Sequence, residues 1–188
     1  MDDSVSTVIL YRDGCCYQNR NVTLSNALIH FAVSRKKTIF QKFVEKGHTC
    51  RMEVESVHSA IEGKLKGRQI FWPAEYIDVI TAARRDHDPY EVKQVDHTFF
   101  RDFSKLNYLS SIRPGSSAWD PQVVDLRCLQ YLPDGSVSYK INYTDQWRPL
   151  PQRQRKKKAD DNTITKMYKA APMRITDEHQ VEASSAAE

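Results

Sequence analysis

Asp13 comes at the end of the short apolar run Val8-Ile9-Leu10, and Glu53, Glu55, His58 and Glu62 crowd together further along the chain. Carboxylates are the ligands that hard divalent cations take, and a pair of such cations clamps the attacking and leaving oxygens of a phosphodiester. One carboxylate restores too little of the hydration such an ion gives up, so Asp13 needs a second acid. Glu55 and Glu53 compete for that role, with Glu55 preferred. Asp13 and Glu55 lie 42 positions apart (55 − 13), room for a helix, a strand and the start of a second helix. Glu55, His58, Ser59 and Glu62 recur at i, i+3, i+4 and i+7, one side of a helix. His58 there can orient a carboxylate or carry a proton near neutral pH. Plainer roles exist for the same residues. Asp-Gly after a strand is a common turn pair, and Glu53 and Glu55 suit the positive end of a helix dipole.

The elements that would position these groups can be read from periodicity. Residues 7–11 form an apolar run suited to a buried strand. A helix starts at Thr23 as cap and carries Leu24, Leu28 and Phe31 to about Ser34. Residues 38–44 are rich in β-formers and read as a strand ended by Gly47, and Gly14 punctuates the first one. A second helix spans Glu53 to Lys66, with Val54, Val57, Ile61 and Leu65 as its buried stripe. Pro73 opens a further helix carrying Tyr76, Ile77, Val79, Ile80 and Ala83. Residues 90–95 read as a strand, and Phe99, Phe100 and Phe103 as anchors of a short helix. Pro133-Asp-Gly-Ser136 joins two β-like runs, 126–132 and 137–143, into a hairpin. That hairpin with Trp147 could alternatively belong to a small barrel that binds a peptide or nucleic acid.

At Asp13-Gly-Cys and Gln18-Asn19-Arg20-Asn21, and again at Gly47-His48-Thr49 and Glu53-x-Glu55-Ser56-x-His58-Ser59-x-Ile61-Glu62, the chain resembles the DDE-type DNA transposases of animal genomes. The likeness continues more loosely through Ile70-Phe71-Trp72-Pro73-Ala74-Glu75-Tyr76 to about Leu150. Such transposases have an RNase H-like core with three catalytic acids. Asp13 matches the second acid and Glu55 the third, with Glu53 its competitor. The first has no counterpart, because twelve residues precede Asp13. The resemblance therefore implies the C-terminal part of a core that begins just ahead of the second acid. It implies Mg²⁺-dependent strand cleavage and joining, with Asp13 and Glu55 as metal ligands and Glu53, His58 and Glu62 around them. A chain holding only part of that set is expected neither to retain Mg²⁺ stably nor to catalyse alone.

The expected fold class is α+β: a partial RNase H-like strand-helix-strand-helix over 1–68, a helical extension over 69–114, a β-hairpin region over 115–150, and a basic then polar disordered tail over 151–188. A hydrophobic content of 40% beside 28% charged residues fits a globular protein. The net charge of +4 is too small by itself to imply a nucleic-acid partner. Its distribution says more, because Arg153, Arg155, Lys156, Lys157 and Lys158 crowd together in a segment suited to DNA-phosphate contact or nuclear import. Met1-Asp-Asp lacks the basic start of a secretory signal, and no apolar run approaches the ~20 residues of a membrane span. We therefore expect an intracellular, nuclear protein. Its expected partners are DNA, bound weakly and without sequence preference, and the missing N-terminal half or other transposase subunits.

Cys15, Cys16, Cys50 and Cys128 follow no recognised pairing or metal spacing. Cys16, His48, Cys50 and His58 form a conceivable zinc set, with reduced thiols the better reading. Asn19 and Asn21 are expected to hold the loop after the first strand. Trp72, Trp119, Trp147 and the Phe99-Phe100 pair are expected to anchor cores rather than stack on bases. Two readings compete with the transposase fragment: a non-enzymatic nucleic-acid- or protein-binding module kept from a transposable element, and a degenerate remnant.

Overall fold

The computed structural model describes residues 4–13, 15–44, 53–84, 88–153 and 163–168. It is a mixed α+β structure whose elements run β1 (Thr7–Arg12), α1 (Cys16–Asn19), α2 (Val22–Arg35), β2 (Thr38–Phe43), α3 (Glu53–Leu65), α4 (Pro73–Thr81), β3 (Arg101–Asp102), β4 (Cys128–Tyr131), β5 (Val137–Lys140), β6 (Arg148–Pro149) and β7 (Thr165–Lys166). Two compact units emerge. One combines Met1–Thr49 with Arg101–Thr165, the other Cys50–Phe100 with Lys166–Glu188.

The first unit is built on a five-stranded sheet of order β1-β2-β4-β5-β6. β1 and β2 are parallel, as a strand-helix-strand unit requires, and the remaining pairings are antiparallel. The hairpin is therefore not a separate barrel. It continues the sheet that β1 and β2 begin, although the sequence reading divided these segments at 68 and 114. Its turn is closed by Gly135 N–H to Leu132 O at 2.9 Å and Ser136 N–H to Asp134 Oδ1 at 2.8 Å. Gly135 takes φ +85°, a conformation that disfavours any side chain.

Side chains alternate across a strand, so register decides what meets on each face. On one face Val8, Ile39, Tyr131 and Val137 form a row, and Leu10, Gln41, Leu129 and Tyr139 form the next. Ile29 and Ala32 of α2 join this face in a common core. Ile39, Phe43 and Leu129 are almost fully withdrawn from solvent, which is worth about 1.5–3 kcal/mol for each such side chain.

Helix α2 departs from its expected form in two ways. Its N-cap is Asn21, whose Oδ1 accepts Leu24 N–H at 2.8 Å, while Thr23 is exposed. Its buried positions are Ser25, Asn26, Ile29 and Ala32 rather than the leucine row, because two polar side chains have found partners inside. Asn26 donates to Leu106 O and Leu109 O at 2.9 and 3.1 Å and accepts Leu109 N–H at 2.8 Å. That set ties α2 to a loop about eighty residues away along the chain (106 − 26).

In the second unit α3 packs against α4. Pro73 opens α4 after an extended Trp72, as expected; Val79 is its buried residue, and Ala83, two residues past its end, is buried as well. The stripe Val54, Val57, Ile61 and Leu65 does not form a buried seam; α3 has no buried residue and Val54 is 45% exposed. Residues 90–95 form no strand, since no described residue pairs with them, and Phe99, Phe100 and Phe103 lie outside any helix. Instead Phe100 meets Phe99 and Tyr168 edge-on, at 5.7 and 5.8 Å, and Met167 N–H donates to Phe100 O at 3.1 Å. Part of the segment expected to be a disordered tail is thus ordered here. Trp119, expected in a core, is 99% exposed. No helix among the described residues is long and apolar enough to cross a membrane.

Candidate functional site

Asp13 lies one residue past β1, at the end where parallel strands of α/β sheets gather their ligands. It is exposed, and its Oδ1 accepts the Cys15 N–H at 3.2 Å and the side-chain amide of Asn19. Oδ2 has no partner among the described residues.

The residues after Asp13 form the local scaffold. Asn19 also offers its carbonyl to Gln41 Nε2 at 2.8 Å, linking the loop to the central strand. Arg20 is buried against the Phe43 ring, 4.4 Å from its centroid, and donates to Leu126 O at 3.2 Å. Asn21 bonds Gln18 O at 3.0 Å as well as capping α2. Asn19 and Asn21 therefore hold this loop by local bonds, as the sequence suggested. Gln41 completes the arrangement from inside: its Oε1 accepts the Tyr131 hydroxyl at 2.8 Å, and Ser25 Oγ lies 3.1 Å from that same hydroxyl. The sequence carried a signal for the Asn cap but none for the Gln41–Tyr131–Ser25 chain.

Glu53, Glu55, His58 and Glu62 belong to the second unit, on α3, and all four are exposed. Glu53 and Glu55 occupy its first turn, where the helix dipole favours negative charge. Ser56 Oγ donates to Glu53 O at 2.8 Å, a local bond of the helix start. Among the described residues no three His, Cys, Asp or Glu side chains converge on a possible metal position. His48, Cys50, the Cys16 side chain, Gly14 and Gly47 fall outside what is described, and so does most of the conceivable zinc set.

Of the basic cluster, only Arg153 is described; Arg155, Lys156, Lys157 and Lys158 are not. Arg153 is half-buried, and its guanidinium donates to Arg113 O at 3.1 Å and to Gly115 O. It stands beside a cleft of about 370 Å³ lined by Gly115, Ser116, Asp120, Tyr139 and Arg148. The amides of Ser116 and Ser117 that could hold an anion there already donate to Asp120 Oδ2, at 2.9 and 2.7 Å. Those two bonds hold the Asp120 carboxyl below its usual range.

Comparison with known protein families, with curated proteins and with solved structures finds no match to this chain.

Proposed function

We propose that this chain is a fragment derived from a DDE-type DNA transposase, carrying part of an RNase H-like core. Asp13 and Glu55 are in this reading the counterparts of the second and third metal-binding acids, with Glu53 the competitor for the third. The observation that carries it is Asp13 itself: a carboxylate at the C-terminal end of β1 in a parallel strand-helix-strand unit, one oxygen oriented by Asn19 and Cys15 and the other without a partner among the described residues. An exposed carboxylate at a strand's C-terminal end supports the reading of Asp13 as a hard-cation ligand.

In the intact family, Mg²⁺ would lower the cost of forming the nucleophile and stabilise the leaving oxygen. In this chain Asp13 would hold one coordination position, and Asn19 would fix its rotamer. Two matched acids fall short of the three such a core uses, so the proposed role is a portion of the machinery rather than the whole. Purified 1–188 supplied with Mg²⁺ or Mn²⁺ should neither nick nor join DNA. Cleavage that disappears in Asp13→Ala would overturn the fragment reading. Mn²⁺ followed by water-proton relaxation should bind weakly, on the order of millimolar, and weaken further in Asp13→Asn. Unchanged affinity in that variant would remove Asp13 as a ligand.

A further inference from the structure

The register that places Val8 and Leu10 beside α2 places Ile9 and Tyr11 on the opposite face of the sheet, with Phe40, Lys42 and Lys140. Tyr11 is 57% exposed and Ile9 48%. Trp147 joins them, its ring centroid 5.8 Å from that of Phe40. Each lysine lies over a ring: Lys42 Nζ is 5.5 Å from the Tyr11 centroid and Lys140 Nζ 4.7 Å from that of Trp147. No strand residue on this face, from β1, β2, β4 or β5, is Asp or Glu. Among the described residues, Asp13 accepts from Cys15 and Asn19, and Asp145 accepts Asn142 N–H at 2.9 Å.

We propose that this sheet face binds single-stranded nucleic acid, its bases stacking on Tyr11 and Trp147 and its phosphates meeting Lys42 and Lys140. Rings stack on any base, and ammonium groups beside them neutralise the backbone, which is the chemistry of sequence-tolerant single-strand recognition. A double helix keeps its base faces covered and offers the rings nothing to stack on. Tyr11, Lys42 and Lys140 occupy one register row, with Tyr11 and Lys140 three strand spacings apart, about 14 Å. A short run of nucleotides can therefore touch both ring–lysine pairs. An apolar protein segment would suit the rings but leave two lysines facing it without counter-charge. The proposal rests on the first unit alone and requires no metal.

The test uses the full chain carrying Trp72→Phe and Trp119→Phe, so that Trp147 is the remaining tryptophan and is excited selectively at the red edge of the indole band. Titration with twelve-nucleotide oligo-dT and oligo-U, without metal, should quench its emission, and a duplex of the same length should quench it far less. If only one oligonucleotide quenches, the site selects DNA or RNA accordingly; if both do, it reads the shared stacking chemistry. Tyr11→Ala, at an exposed position, should weaken binding about five- to a hundredfold with unchanged far-ultraviolet circular dichroism. Lys42→Gln with Lys140→Gln should lower the log–log salt slope by about 1.4, whatever the basic cluster contributes. Absence of quenching, equal quenching by duplex, or full affinity in both variants would overturn the proposal. Asp13-dependent DNA cleavage, or Mn²⁺ affinity unchanged in Asp13→Asn, would leave it standing, so its failure is distinct from that of the transposase reading.

Discussion

The Tyr131 hydroxyl donates to Gln41 Oε1 at 2.8 Å, with both side chains fully buried at the centre of the first unit's sheet. Ser25 Oγ meets the same hydroxyl, and Gln41 Nε2 passes on to Asn19 O, so a polar line crosses the core from α2 to the loop that orients Asp13. Tyr131→Phe keeps the ring and strands two oxygens. It should cost about 1–3 kcal/mol, read as a lower urea midpoint at unchanged slope. An unchanged midpoint would mean the line adds nothing to stability.

The same hydroxyl sets a pH dependence. Burial pushes the Tyr131 phenol well above its ordinary value of 10.0. The folded state then keeps a proton that the unfolded state releases, so this stability is fully present below about pH 10 and is lost as pH rises further. Absorbance titration should show one of the nine tyrosines ionising only on unfolding. That delayed phase should vanish in Tyr131→Phe.

Gly115 is required by a close approach. A Cβ there would stand 1.9 Å from Asp120 Cβ and 2.8 Å from its Cγ. Gly115→Ala should destabilise the protein by about 1–3 kcal/mol and loosen the Asp120 bonds to Ser116 and Ser117. Thermal melting and amide exchange at those two residues are the measurements. Because those bonds hold the Asp120 carboxyl low, their stabilisation is present above the ordinary carboxylate range and lost as pH falls through it. The Gly115→Ala protein should show a shallower acid decline.

The basic cluster can be tested without disturbing the fold by sparing Arg153, whose guanidinium braces the Arg113 and Gly115 carbonyls. Changing Arg155 and Lys156–Lys158 to Ala should remove about four phosphate contacts, flattening the duplex-DNA salt slope by roughly 3.6. A fluorescent fusion should lose nuclear enrichment together with that slope. Retention of both would reduce the cluster to a solvated surface.

What could be read from the sequence was what neighbours along the chain decide. Val8-Ile9-Leu10, Pro73 and Pro133-Asp-Gly-Ser136 each announce an element through local backbone chemistry, and all three elements are present. Asp13 after β1 was legible for the same reason. Partners far apart were not. Ile39 pairs with Tyr131 across 92 positions (131 − 39), and nothing near either residue encodes that choice. Nothing in the sequence marks Ser25, Asn26 and Gln41 as buried, because a polarity pattern has no knowledge of a distant carbonyl or hydroxyl. Residues 90–95 show the converse: alternation alone makes no strand without a partner strand to pair with.

The discontinuity of the first unit bears on how it is made. When β2 has just been synthesised, the β4 strand that will flank it still lies 85 residues ahead (128 − 43), a wait of about 4–17 s at ordinary elongation rates. Throughout that interval β2 has an open side, and its inward row reads Ile39, Gln41, Phe43. A glutamine at the middle of that row breaks what would otherwise be a continuous oily ribbon, and it becomes fully satisfied only when Tyr131 arrives. The residue that looks least suited to the finished interior thus interrupts the apolar row for as long as its last partner is untranslated.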